Sequence, residues 1–147
     1  MKRPDTGKTF LDFDDINDIL PDDLVLNKER YSRGVYCAKN GSLISISNSR
    51  VYERGYLSWY YVYGDRYADA GVKYMIFTVG LIGLVLLPME VFQSYKKACY
   101  WKSGLRPGEK RYRIDIVEID NRFYFINCSE LYPKKLDVTQ YFIPFKK

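Results

Sequence analysis

The sequence predicts an α+β domain whose mainly antiparallel sheet curls into a small open barrel, with one short N-terminal helix and one longer helix after the central strands. Three observations lead there. Short apolar runs alternate with turn-forming residues, helical spacing occurs in only two stretches, and 147 residues suffice for one buried core.

The first helix is expected over residues 9–20, where Phe13, Ile16, Ile19 and Leu20 fall at helical spacing. Thr9 is placed to cap it and Pro21 to stop it. Strands follow from Gly34 onward: Val35–Ala38 and Leu43–Ile46 flank Asn40-Gly41, the strongest short hairpin signal. A third strand is expected from Tyr56 to Tyr63. Tyr74 to Met89 holds sixteen residues without a charge, fewer than the roughly twenty a spanning helix needs. With Gly80, Gly83, Pro88 and many β-branched residues, it reads as two buried strands joined by a tight turn, and no membrane partner is expected. Pro88 then opens a longer helix through about Lys102, with Met89, Phe92, Tyr95 and Cys99 as its apolar stripe. A hairpin through Asp120-Asn121 is expected to pair 112–118 with 123–126, and a last short strand or coil runs from Leu136 to Phe145.

Charge divides the chain. Residues 1–30 carry eight acids against five bases, and residues 31–147 carry eighteen bases against ten acids. This predicts an acidic N-terminal helix and arm (1–30) and a basic β-rich domain (31–147) that attracts polyanions, nucleic acid foremost.

Composition also excludes chemistry. With no histidine, Ser-His-Asp and Cys-His machinery is ruled out and the commonest neutral metal ligand is missing. Cys37, Cys99 and Cys128 form no CxxC pair, so free thiols in a reducing cytoplasm are expected, and the Lys2-Arg3-Pro4-Asp5 start leads us to expect no signal peptide. Gly80-Leu81-Ile82-Gly83 matches neither phosphate-binding glycine pattern. The one arrangement open to metal-dependent nuclease chemistry is Asp115, Glu118 and Asp120, but Asp115 and Glu118 fall on opposite faces of a strand. No cofactor, no metal site and no catalysis are expected, with an atypical metal nuclease built on Asp115, Glu118 and Asp120 as the exception left open.

Fifteen tyrosines supply the better lead, since many stand beside cations. Arg50, Arg54, Arg66, Lys96, Lys97, Lys102, Arg106, Lys110, Arg111 and Arg113 are the expected phosphate or base contacts. Tyr60, Tyr63, Tyr67 and Trp101 are the expected stacking rings.

From Tyr56 to Phe142 the layout resembles a small β-rich target-recognition module of prokaryotic restriction and defence proteins, of the B3-like or EVE-like type. The resemblance rests on an aromatic strand (Tyr56-Leu57-Ser58-Trp59-Tyr60-Tyr61-Val62), a hydrophobic strand (residues 73–79) and a strand that ends in proline and opens a helix (Leu84-Val85-Leu86-Leu87-Pro88-Met89-Glu90). Tyr112-Arg113-Ile114-Asp115-Ile116 and Leu136-Asp137-Val138-Thr139-Gln140-Tyr141 complete it. It implies a domain reading duplex DNA within a larger restriction or defence assembly, in which further subunits or domains cut. The alternative from composition alone is a protein-interaction module, such as an inhibitor or immunity protein, using its tyrosine-rich surface.

Overall fold

The computed structural model describes residues 7–52, 57–126 and 135–145. It is α+β: two mostly antiparallel sheets lie face to face, and neither closes into a barrel.

The first helix is shorter than the spacing suggests, α1 spanning Phe13–Ile19. Asp12 replaces Thr9 as the cap, because its carboxylate accepts from Asp15 N while the Asp15 carboxylate accepts from Asp12 N. After a 3-10 turn at Asp22–Leu24 come strands β1 (Leu26–Ser32), β2 (Val35–Ala38), β3 (Leu43–Ser47) and β4 (Ser58–Val62). Helix α2 (Gly64–Asp69) leads to β5 (Val72–Val79) and β6 (Gly83–Pro88). Helix α3 (Met89–Tyr95) precedes a 3-10 turn at Lys96–Ala98. Strands β7 (Trp101–Ser103), β8 (Lys110–Ile119), β9 (Arg122–Ile126), β10 (Lys135–Asp137) and β11 (Phe142–Pro144) complete the chain. The longer helix expected through Lys102 therefore ends seven residues earlier, at Tyr95. Tyr100-Trp101 favour extended backbone, and β7 gains a ladder against Tyr112, Arg111 and Lys110 that a helix would forgo.

One sheet runs β1-β2-β3-β5-β6-β11, with β3 and β5 parallel; the other runs β10-β9-β8-β4, with β7 also on β8. Turn chemistry fixes the long hairpin as expected. Asp120 and Asn121 take φ of 52° and 65°, the left-handed pair that a two-residue hairpin turn needs.

Strand alternation builds three layers. From β5 and β6, Met75, Phe77, Val79, Val85 and Leu87 face the second sheet and meet Tyr60, Val62, Tyr112, Ile114, Ile116 and Phe125. The alternate residues, Ile76 and Leu84, face the other way and meet Leu11, Ile16, Leu20 and Leu24. Residues 11–24 are thus the outer layer behind the six-stranded sheet, and the 30/31 boundary suggested by charge falls within β1. Phe77 centres the inter-sheet core, its ring 5.1 Å from Tyr60 and 5.4 Å from Phe125. Phe77→Ala is expected to cost about 3–5 kcal/mol, read as a lowered denaturant midpoint.

A second stability prediction concerns acid. Hydrogen bonds from the Thr139 side chain and backbone, then from Arg122, hold the Asp137 carboxyl down at about 2. A depressed carboxyl stabilises the fold above its unfolded value of 3.8, and this contribution is lost as pH falls through 2. Asp137→Asn should flatten the acid limb of a stability–pH curve in that window.

Among the described residues no helix is long and apolar enough to cross a membrane; the uncharged stretch at 74–89 is mainly β5 and β6.

Candidate nucleic-acid interface

Because Tyr112, Ile114 and Ile116 point inward, Arg111 and Arg113 point outward from β8. Register supplies their neighbours. Tyr61 pairs with Arg113 and Trp59 with Asp115, so the two rings of β4 stand on the same outer face. The Arg113 guanidinium lies 4.5 Å from the Trp59 ring and 5.5 Å from Tyr61. Arg111 and Lys102 approach Tyr61 at 5.3 and 5.4 Å. Trp59 and Tyr61 also line a groove of about 440 Å³ with Arg50, Tyr52, Asn48 and Phe10. Arg50, itself exposed, sits 4.7 Å over Tyr52. Cations from three separate stretches therefore meet around Trp59 and Tyr61.

The face continues into the β7–β8 hairpin, which carries Lys102, Arg106, Lys110 and Arg111. Lys110 rests 4.6 Å over Trp101, which is 45% exposed. Among the described residues no carboxylate lies within ion-pairing distance of Arg50, Lys97, Lys102, Arg106, Lys110 or Arg111.

Other expected contacts go elsewhere. Arg66 makes a two-pronged bond to Glu109 at 2.7 and 2.8 Å, and Lys96 bonds Asp65 at 2.7 Å. Burial pushes the Asp65 carboxyl up, but bonds from Lys96 and Tyr112 outweigh it and hold it below its ordinary value. These two cations tie α2 to the turns that follow α3 and β7, and their charge is already answered. Tyr60 is a correction: only 3% exposed, it donates to the Thr78 carbonyl at 2.6 Å and belongs to the core, where no base can reach it. Tyr63 is half-buried beneath Arg66, whose guanidinium is 4.1 Å from its ring, and Tyr67 is half-buried against the inter-sheet core. Arg54 lies outside the described residues.

The surface rings that composition passed over are Trp59, Tyr61 and Tyr52. Ser58, Tyr60 and Val62 share one phase, and the charged phase of β8 fixes which phase faces solvent. That pairing is the signal that separates Tyr61 from Tyr60.

The acids considered for metal chemistry do not converge. Asp115 is fully buried and held by Arg113 at 2.8 and 3.0 Å, whereas Glu118 and Asp120 are exposed. Among the described residues no three cysteine, aspartate or glutamate side chains form a metal-binding group. The acidic α1 lies behind the opposite sheet, so it does not cover the cationic face. Compared with family models, curated proteins and solved structures, the chain matches none of them.

Proposed function

We propose that the protein is a non-catalytic, cytoplasmic DNA-binding domain that lays the outer face of its second sheet and the β7–β8 hairpin on duplex DNA. The observation that carries this reading is the convergence of Arg50, Lys102 and Arg111 around Trp59 and Tyr61, beside the Arg113–Asp115 pair. Lysine and arginine neutralise phosphates and release counterions. Rings already placed beside guanidinium groups offer flat, amphipathic support for sugar and base edges. A recognition role within a restriction or defence assembly follows from the resemblance of the strand pattern, with cutting left to other subunits. Incubation with a 20-bp duplex at 50 mM salt should give a retarded complex in a gel. No shift at that salt overturns the proposal.

A second reading has its own observation. Phe10, Val51, Leu81 and Ile82 are 37–42% exposed where Gly80 packs on Val51 and bonds Leu11 and Ser49. Such an apolar cluster suits a protein partner. Co-purification that survives 0.5 M salt but is lost in Leu81→Asp would favour it.

A further inference from the structure

Leu105, 88% exposed, is the most exposed large apolar side chain among the described residues. It stands at the tip of the hairpin that carries Lys102, Lys110 and Arg111, next to Arg106. The turn that presents it is braced.

Gly104 N donates to the Glu109 carbonyl at 2.7 Å and closes the hairpin neck. Glu109 N donates to the Arg106 carbonyl at 3.1 Å, with Pro107 and Gly108 between them. Gly108 takes φ of 76°, the conformation that a turn with proline before it requires at its third residue. The Glu109 carboxylate is gripped by Arg66 and also accepts from Arg106 N at 3.3 Å. A Cβ on Gly104 would lie 2.8 Å from the Tyr63 ring, so the neck is packed as well as bonded. Leu105 is therefore held in solvent by a preorganised turn, with Arg106 next to it in sequence and Lys102, Lys110 and Arg111 in the strands of the same hairpin.

We infer that this tip is a wedge: Leu105 enters a base step of duplex DNA and kinks it, while Lys102, Arg106 and Arg111 hold the flanking phosphates. The inference rests on the DNA-binding reading and adds how the duplex is deformed. Apolar side chains inserted at a step part the stacked bases, and the bend brings more of the basic face onto the backbone. Flexible pyrimidine–purine steps cost least to open, so they are the preferred sites.

The test uses a 30-bp duplex with a donor and an acceptor dye at its ends. Saturating wild-type protein should raise energy transfer by shortening the end-to-end distance. Leu105→Ala should lose that rise while the slope of log affinity against log salt stays at the wild-type value. Arg106→Ala, which removes a phosphate contact, should instead reduce the slope by roughly 0.9. An unchanged denaturant midpoint confirms that each variant folds. Wild-type protein that binds without raising energy transfer, or Leu105→Ala that raises it equally, overturns the wedge and leaves the DNA-binding reading standing. Wild-type protein that fails to bind the duplex at 50 mM salt overturns both.

Discussion

Arg113→Ala is expected to destabilise the protein by about 3–5 kcal/mol, a large share of the roughly 5–15 kcal/mol that holds a domain folded. Asp115 is fully buried, and one of its oxygens accepts both bonds from Arg113, at 2.8 and 3.0 Å. Its other oxygen is buried with no hydrogen-bond partner among the described residues. Removing the guanidinium would strand a carboxylate away from water. Trp59 would also lose the guanidinium that sits 4.5 Å from its ring. Replacing both partners with apolar residues, as in Arg113→Met with Asp115→Leu, should restore most of the loss, because no buried charge remains. Urea titration followed by tryptophan fluorescence reads both. A single variant within about 0.5 kcal/mol of wild type would mean that Asp115 is not dependent on its neighbour.

The second large effect concerns binding. Removing Lys102, Arg106 and Arg111 together should weaken duplex DNA binding by on the order of a hundredfold at 0.15 M salt, since each lost phosphate contact forgoes about 0.9 of a counterion. Stability should move little, because Lys102 and Arg106 are exposed and, among the described residues, Arg111 bonds the Ser103 carbonyl and shares the Tyr61 ring with Lys102 without an ion pair. The contrast with Arg113 matters. One position on this face supports the fold, and its neighbours are available to a ligand.

Much of the fold was legible locally. Asn40-Gly41, Gly80–Gly83 and Asp120-Asn121 each bring a chain reversal, and the strands on either side of them were read close to their observed bounds. β1 was not, because every residue after Leu26 is exposed and an edge strand wet on both faces shows no period. α2, six residues beginning at Gly64-Asp65, looks like a turn in sequence. The choice between one curled sheet and two stacked ones is made where the chain leaves β3 on one sheet and enters β4 on the other, a non-local decision with no local signature.

The binding face divides the same way. Arg111 and Arg113 showed their common phase, whereas Trp59-Tyr60-Tyr61 is three rings in a row and carries no phase of its own. Arg66 and Glu109 are 43 residues apart, so nothing nearby in sequence marks that cation as already paired. Lys102 looked like the end of a helix and is a strand residue beside Tyr61.

The most direct measurement is the salt dependence of duplex DNA affinity, by fluorescence anisotropy between 50 and 300 mM salt, for wild type and the Lys102/Arg106/Arg111 triple alanine variant. A steep wild-type slope that falls by roughly 2.7 in the variant is expected. Equal slopes for the two proteins, or wild-type binding that ignores salt, would contradict the assignment of this face to DNA.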